Sequence, residues 1–324
     1  MRIAHISDIH TTTSSSFQTR LRTLLQSIRH HRVDHLIITG DLTDKATEDE
    51  YDTVIRLLNE YGFSSGNELT VIPGNHDMYP SVYQSFTFRL STLREEFKHE
   101  PVRITKELFR VTRAYRNFTP GQYKNALRYF VQRFSYTYDT AVSAGSEDTV
   151  GFPYIKHLND KYAVICIESN YVSPYIKMPL PLALLRYFIT KEMYSVTDNP
   201  ICSNGWVDID LLKYSIDILG LQEKKLIVLL HHYMYSPEQE HRYMKSSFAK
   251  TMSLLNRDEL IDTLGGYNTK LVLHGHWHVT ETYTACNSMI KVLNGAGVFQ
   301  PNDGKWNLLT LTPDEILHET VTLA

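Results

Sequence analysis

Five short motifs carry side chains that could bind metal ions or transfer protons. In chain order they are Asp8-Ile9-His10, Gly40-Asp41, Gly74-Asn75-His76-Asp77, His231-His232 and Gly275-His276-Trp277-His278. Their carboxylate, amide and imidazole groups suit Mn, Fe or Zn, and none of the motifs contains the thiolate that favours a closed structural zinc site. The motifs therefore indicate a metal centre, and a carboxylate among them could bridge two ions.

Each motif follows a short apolar run that predicts a buried strand. These runs are residues 3–6, 34–39, 69–72, 225–230 and 270–273, and residues 162–167 form another. Helices are predicted at residues 21–31, 48–61 and 258–264 from their apolar spacing or acidic start. Because ligands of open α/β sheets bind beside the carboxyl ends of the strands, we expect the five motifs to converge there. Residues 289–293 and 307–311 are β-rich and predict an antiparallel meander.

Two long segments interrupt the alternation of strands and helices, at residues 79–136 and 171–204. The first is aromatic and basic, since residues 89–133 contain eleven Lys or Arg against four Glu. Structureless loops of this length are uncommon in compact domains and are often functional. We therefore predict a single domain over residues 1–324 with two cap insertions, the first of them helical. Its excess of positive charge would suit an anionic substrate.

The composition sets limits on the class of protein. With 42% hydrophobic residues among 324, the chain can build a substantial core, and its net charge of −3 argues against a protein that is cationic overall. Three widely spaced cysteines indicate reduced thiols. The N-terminus lacks the apolar stretch of a signal peptide, and no run of 18 apolar residues exists. A cytoplasmic protein with no transmembrane segment is expected.

Taken together and in order, the motifs resemble those of the calcineurin-like metallophosphoesterase superfamily, in particular its cyclic-nucleotide phosphodiesterase-like branch. The resemblance covers roughly residues 1–80 and 160–300. It implies an α/β fold, a four-layer αββα sandwich of two mixed sheets flanked by helices, with a dinuclear metal centre. In that branch two prolines commonly follow the histidine pair, whereas this chain continues Tyr233-Met234-Tyr235. The departure concerns the branch and leaves the metal motifs intact.

The resemblance also implies which residues hold two divalent metal ions, Mn, Fe or Zn. The ligands of the first ion would be Asp8, His10, Asp41 and His278. The ligands of the second ion would be Asp41 as the bridge, Asn75, His231 and His276. His232 is the alternative to His231, because the family uses one histidine of this pair.

Other residues near the motifs would support the chemistry. By the resemblance, His76 would contact the substrate phosphate and protonate the leaving oxygen, a contribution typically worth about 10²–10⁴-fold in rate. Asp77 is predicted to orient His76. His5 and His274 lie within strands and are predicted to support the core or the site rather than bind metal. Trp277 could stack on a substrate base or sugar, or pack against the core.

The leading functional hypothesis is a phosphodiesterase that hydrolyses a small nucleotide or related phosphodiester by attack of a metal-bound hydroxide. A diester has a leaving group that gains from a proton donor such as His76. One alternative is a pyrophosphatase or phosphatase of a sugar-nucleotide or lipid-linked substrate. Another is a catalytically idle scaffold of the same fold, although such scaffolds typically lose ligands and this chain keeps all seven.

The predicted partner is a small phosphorylated substrate. A nuclease would need a broad positive track, which a chain of net charge −3 with one basic insertion does not favour. The insertion at residues 79–136 could also contact a membrane surface. The sequence leaves the oligomeric state open.

Overall fold

Two mixed β-sheets lie at the centre of the fold in the computed structural model of the chain. The structure describes residues 1–78, 120–138, 140–141, 151–170, 205–234, 254–287, 289–295 and 304–323. The predicted insertion at 171–204 lies outside the described residues, as do residues 79–119 of the insertion predicted at 79–136.

The first sheet has five strands and contains the N-terminus of the chain. Its strands are β1 (Arg2–Ile6), β2 (His35–Thr39), β3 (Leu69–Ile72), β11 (Lys305–Leu311) and β12 (Ile316–Thr322). They lie in the order β12-β11-β1-β2-β3. The pairs β1·β2 and β2·β3 are parallel, whereas β1·β11 and β11·β12 are antiparallel. The first three predicted strands are therefore neighbours, and their carboxyl ends lie at the same edge.

The second sheet has seven strands. They are β4 (Thr140–Ala141), β5 (Tyr154–His157), β6 (Tyr162–Cys166), β7 (Lys225–Leu229), β8 (Thr269–His274), β9 (Glu281–Ala285) and β10 (Ile290–Asn294). Their order is β4-β5-β6-β7-β8-β10-β9. Strands β6, β7, β8 and β10 are parallel to their neighbours in that run, and β5 and β9 pair antiparallel at its two sides.

Six α-helices connect or flank these strands in the described part of the chain. They are α1 (Ser15–His30), α2 (Glu48–Glu60), the single turn α3 (Asn75–Met78), α4 (Pro120–Phe134), α5 (Ile209–Ile218) and α6 (Arg257–Gly265). Thr47 and Glu50 form a reciprocal capping box that starts α2 after the second motif. None of the described helices has the length and apolar character that crossing a membrane requires.

Alternating side chains along the strands build three apolar layers. On β1, Ala4 and Ile6 join the core formed with α1 and α2, whereas Ile3 lies between the sheets. On β7, Val228 packs in the core with α5 and α6, whereas Leu229 lies between the sheets. Each sheet thus has helices on one face and the other sheet on its opposite face. The prediction of a four-layer αββα sandwich of two mixed sheets is confirmed.

Residues 120–134 of the first predicted insertion form helix α4, which packs into the core. Phe130 and Phe134 are fully buried against Tyr51 of α2, and Tyr123 lies in the layer between the sheets. Arg133, one of the basic residues of this insertion, forms ion pairs with two carboxylates of α2 at 2.7 and 3.0 Å. This part of the insertion is therefore built into the domain and carries structural charge pairs.

The predicted meander of residues 289–293 and 307–311 is wrong. Strand β10 pairs with β8 and β9 in the second sheet, whereas β11 pairs with β1 and β12 in the first. The Gly and Asn residues between the two segments signal a change of direction, but they do not specify the partner strand. The partner is set by which apolar face each strand can bury.

We expect truncation between the sheets to destabilise the protein far more than the same truncation at the surface. Leu271→Ala removes a fully buried side chain from the layer between the sheets, which should lower the free energy of unfolding by about 2–5 kcal/mol. Leu317→Ala in β12, where the side chain is 48% exposed, should change it by no more than about 0.5 kcal/mol. Urea unfolding followed by circular dichroism measures both, and equal shifts would contradict the assigned layers.

Candidate metal centre

The residues of the five motifs meet where the parallel strands of both sheets end. Asp8 and Asp41 follow β1 and β2 of the first sheet, and His231 and His276 follow β7 and β8 of the second. Asp8 and Asp41 are only 2% and 1% exposed, so the charges of both carboxylates are withdrawn from water. Isolated buried carboxylates are costly, so this convergence needs compensating charge.

Four side chains form a first group of converging donor atoms. The group contains Asp8, His10, Asp41 and His278, with one donor atom from each lying within 4.8 Å of the others. His10 Nε2 lies 3.1 Å from His278 Nε2 and 3.6 Å from Asp41 Oδ2. His278 Nε2 lies 3.3 Å from Asp8 Oδ1. Two ligands that bind one ion at about 2.1 Å in adjacent positions lie about 3 Å apart, which these separations match.

A second group forms around the ring of His231. Its Nε2 atom lies 3.0 Å from Asn75 Oδ1, 3.1 Å from His276 Nδ1 and 3.5 Å from Asp41 Oδ2. A proton on Nε2 could satisfy only one of these three acceptors, whereas a cation between them would satisfy all of them. The donor set therefore fits a divalent metal ion.

Asp41 is common to both groups, and its two oxygens have different partners. Oδ1 accepts a hydrogen bond of 2.7 Å from the backbone N–H of His76. Oδ2 faces His10 Nε2 at 3.6 Å on one side and His231 Nε2 at 3.5 Å on the other. Because Oδ1 is held by the backbone, Oδ2 is the oxygen that faces both groups of donor atoms, so Asp41 could serve as a ligand to a metal ion in either group.

The backbone of the centre is strained at the residues that carry the donor groups. Five of them have positive φ angles, namely Asp8 (53°), His10 (48°), Asp41 (52°), His276 (73°) and His278 (55°). Non-glycine residues rarely adopt this conformation, which costs of order 1–3 kcal/mol each. Such strain persists where packing and hydrogen bonds of the surrounding structure hold the backbone in place. Here the strained residues lie together where the strands converge.

Glycine is required where the loops after β2 and β3 cross. A Cβ atom on Gly74 would overlap the Asp41 side chain and backbone, and one on Gly40, at φ 97°, would overlap the His231 ring. A side chain at either position would therefore push apart the groups that converge on Asp41.

Electrostatic interactions within the centre are strong. Burial acts to raise the pKa of Asp41, but the His231 and His76 rings outweigh it and hold that pKa well below its usual range. Burial acts to lower the pKa of His231, but the Asp41 carboxylate outweighs burial and raises that pKa to about 9. Burial also acts to lower the pKa of His278, but the Asp8 carboxylate outweighs burial and raises that pKa. The two buried carboxylates and the histidines facing them thus stabilise each other's charged forms, and the same negative potential would attract divalent cations.

The prediction that Asp77 orients His76 is wrong. Oδ1 of Asp77 accepts from the backbone N–H and the hydroxyl of Thr43, both at 2.9 Å, and Oδ2 accepts from the N–H groups of Gly74 (2.9 Å) and Leu42 (3.1 Å). Burial and the charge of Asp41 raise the pKa of Asp77 to about 6. Since its lone pairs are used by these donors, the carboxylate ties the loop after β2 to the loop after β3.

Asp44 takes the position beside His76 that was predicted for Asp77. The backbone carbonyl of Asp44 accepts a hydrogen bond of 2.9 Å from His76 Nδ1, and its carboxylate Oδ1 lies 3.9 Å from the same nitrogen. Sequence reasoning missed this residue. The available signal was an acidic side chain three residues after Asp41, in the loop that also carries the predicted bridge.

The remaining histidines differ in their hydrogen-bond partners. His231 Nε2 lies 3.5 Å from Asp41 Oδ2, whereas His232 Nδ1 lies 2.9 Å from the hydroxyl of Ser169, so the geometry favours His231 over His232 as the ligand. His5 and His274 are fully buried, and burial lowers their pKa values to about 3 and about 4, so both are neutral. His5 bonds Thr39 and Asn307, and His274 bonds Tyr283, outside both metal groups.

Trp277 lies beside an aromatic side chain of the second sheet. Its ring centroid is 5.8 Å from that of Tyr233, with the planes inclined at 33°. Tyr233 is fully buried and donates a hydrogen bond of 2.5 Å to Glu281. Packing on Tyr233 is therefore one role of Trp277.

Comparison with known proteins agrees with this geometry. The family model described as calcineurin-like phosphoesterase matches residues 1–280. The chain therefore belongs to the calcineurin-like phosphoesterase family, which confirms the resemblance, and the family implies a metal-dependent phosphohydrolase with two divalent ions. No curated protein sequence matches the chain significantly.

Two of the solved structures that match the chain are phosphatases of the same fold. A dimetal phosphatase from Danio rerio is 11% identical, with a TM-score of 0.55 and coverage of 100% of this chain and 99% of that chain. The purple acid phosphatase PPD1 from seeds of yellow lupin (Lupinus luteus) is 12% identical, with a TM-score of 0.56 and coverage of 99% of this chain and 51% of that chain. At these identities the similarity shows the fold alone.

Asp77→Asn should destabilise the protein although it preserves the shape of the side chain. An amide keeps one acceptor oxygen and turns an NH₂ group toward two donors, so buried N–H groups lose their partners. We expect the free energy of unfolding of the metal-free protein to fall by about 2–4 kcal/mol. The control is Asp44→Asn, whose side chain is 35% exposed and should cost less than about 1 kcal/mol. Denaturant unfolding that shows similar losses for both variants would contradict the assigned role of Asp77.

Proposed function

We propose that the protein is a dinuclear metal-dependent phosphodiesterase acting on a small nucleotide or a related phosphodiester. The observation that carries the proposal is the position of Asp41 Oδ2, which lies 3.6 Å from His10 Nε2 and 3.5 Å from His231 Nε2. A carboxylate that faces both groups of donor atoms would serve as a ligand to each of two divalent ions.

The proposed ligands divide between two ions as the family resemblance implies. Those of the first are Asp8, His10, Asp41 and His278, and those of the second are Asp41, Asn75, His231 and His276. When bound, a pair of divalent ions (Mn, Fe or Zn) activates water for attack on phosphorus and neutralises the phosphoryl oxygens. Asn75 contributes a neutral oxygen, which leaves the centre more positive than a third carboxylate would and so favours an anionic substrate.

His76 is the proposed proton donor to the leaving oxygen. Its ring is 23% exposed, and its centroid lies 4.3 Å from that of His10, so it borders the centre and is open to solvent. Because the carbonyl of Asp44 can only accept, His76 Nδ1 carries a proton in that hydrogen bond. In the protonated ring, Nε2 then presents the second proton to the substrate.

An intact proton donor suits a phosphoester whose leaving oxygen is strongly basic, and the proposed diester is one such substrate. The alkoxide that leaves from a diester of an ordinary alcohol is a strong base, and its departure gains from protonation. A phosphatase or a pyrophosphatase of a sugar-nucleotide or lipid-linked substrate is the second candidate, since the two structural neighbours are named as phosphatases. A catalytically idle scaffold is disfavoured because the converging donor groups are complete.

Purified protein loaded with Mn²⁺ should hold two ions per chain and hydrolyse bis(p-nitrophenyl) phosphate. Asp41→Ala removes the shared ligand, so we expect the variant to lose both ions. Its kcat/KM should fall by at least about 100-fold. Asn75→Ala should weaken the binding of the second ion only. Elemental analysis and a colorimetric assay measure these effects, with Asp49→Ala on the exposed side of α2 as the control. Retention of two ions and full activity by Asp41→Ala would sink the proposal.

His76→Asn tests the proton donor separately from the metal ions. We expect kcat to fall by about 10²–10⁴-fold on a nucleoside cyclic phosphate, whose leaving group is an alkoxide. The loss should be much smaller on bis(p-nitrophenyl) phosphate, because p-nitrophenolate leaves without protonation. Metal content should stay at the wild-type value. An equal loss on the two substrates would mean that His76 does not protonate the leaving oxygen.

A further inference from the structure

Asn75 and His231 approach within 3.0 Å of each other although they belong to different sheets. Asn75 follows β3 in the first sheet, and His231 follows β7 in the second. The two sheets contact each other through apolar side chains, which set a spacing but not the direction of a loop. A coordinating distance between these loops therefore requires specific hydrogen bonds.

The segment 168–170, which follows β6, supplies hydrogen bonds to the loop that carries His231. The hydroxyl of Ser169, fully buried, accepts from the backbone N–H groups of His231 (3.2 Å) and His232 (3.3 Å). It also lies 2.9 Å from His232 Nδ1. Since the oxygen accepts two bonds, its own proton is directed to Nδ1, so the hydroxyl uses all of its hydrogen-bonding capacity in this turn.

The same segment also reaches the loop that carries Asn75. The side chain of Asn170, 1% exposed, donates a hydrogen bond of 3.0 Å from Nδ2 to the carbonyl of Pro73. Pro73 precedes Gly74 and Asn75 at the end of β3. Consecutive residues of one segment thus hold the two loops, one through a hydroxyl and the other through an amide.

Glu168 anchors this segment to helix α4. One carboxylate oxygen accepts from the backbone N–H of Asn170 at 2.5 Å, and the other accepts from the hydroxyl of Tyr123. Tyr123 is 5% exposed and lies in the apolar layer between the sheets. The segment is therefore fixed at its start by a buried helix and at its end by the loop after β3.

We propose that Ser169 and Asn170 are positioning residues that set the affinity for the second cation by holding Asn75 and His231 at coordinating distance. The inference rests on the metal-binding part of the proposed function and not on its hydrolytic part, because it takes Asn75 and His231 as ligands of that ion. Supporting hydrogen bonds of this kind typically contribute about 10–100-fold to metal affinity. The hydrogen bonds of the segment lead to the loops of the second ion, so the first ion should bind unchanged.

The test is a titration of the metal-free protein with Mn²⁺ followed by calorimetry and by elemental analysis after dialysis. Ser169→Ala should raise the dissociation constant of the second ion about 10–100-fold and leave that of the first unchanged. Ser169→Thr keeps the hydroxyl and should restore most of the affinity. The matched control is Ser215→Ala in α5, a fully buried serine whose hydroxyl donates to the Leu211 carbonyl at 2.6 Å.

Asn170→Asp provides a second variant, because it keeps the size of the side chain and removes the donor to Pro73. It should selectively weaken the binding of the second ion, and it provides a test if Ser169→Ala fails to fold. Two unchanged dissociation constants, or an equal increase in both, would overturn the inference, since the latter indicates general loosening. A wild-type protein that binds two Mn²⁺ but cleaves no phosphoester refutes the proposed function and leaves this inference standing. Wild-type binding of fewer than two Mn²⁺ overturns both.

Discussion

The whole structure depends on one constraint: buried donor groups from both sheets must lie about 3 Å apart around the single carboxylate of Asp41. This convergence is unfavourable for the chain by itself. Two carboxylates lose hydration, and five residues adopt a left-handed backbone conformation that costs of order 1–3 kcal/mol each. Bonds to two cations at the convergence point would offset the lost hydration of the carboxylates and their mutual repulsion. A rigid scaffold must hold the donor groups in position for those cations.

The four-layer sandwich supplies that rigidity. Apolar layers on both faces of each sheet bury nearly every side chain of the central strands, so the carboxyl ends of these strands have little freedom. Polar clamps then connect the loops that follow. Asp77 joins the loops after β2 and β3, and the segment 168–170 joins the loops after β3 and β7. Apolar packing determines the distance between the sheets, and hydrogen bonds determine the direction in which each loop leaves its strand.

Asp41 and Asp77 show how the environment separates two similar side chains. Both are buried, acidic and located at the ends of neighbouring strands. Asp77 is surrounded by N–H and hydroxyl donors, which satisfy its oxygens and leave it no role toward a cation. Asp41 has one oxygen held by a backbone N–H and the other facing imidazoles. The same functional group is thus a structural clamp in one position and the shared centre of the site in the other.

Sequence patterns alone predicted the strands that end in polar motifs, metal rather than thiol chemistry, and the residues whose donor atoms converge. Those features are local, because apolar runs and the donor atoms that follow them can be read along the chain. Three other features became visible in the folded chain: which sheet β10 and β11 join, that Asp44 rather than Asp77 lies beside His76, and that Ser169 supports the loop of His231. These depend on hydrogen bonds and packing between residues distant in the chain, and a carboxylate or hydroxyl has no feature in the sequence that tells which donor it will meet.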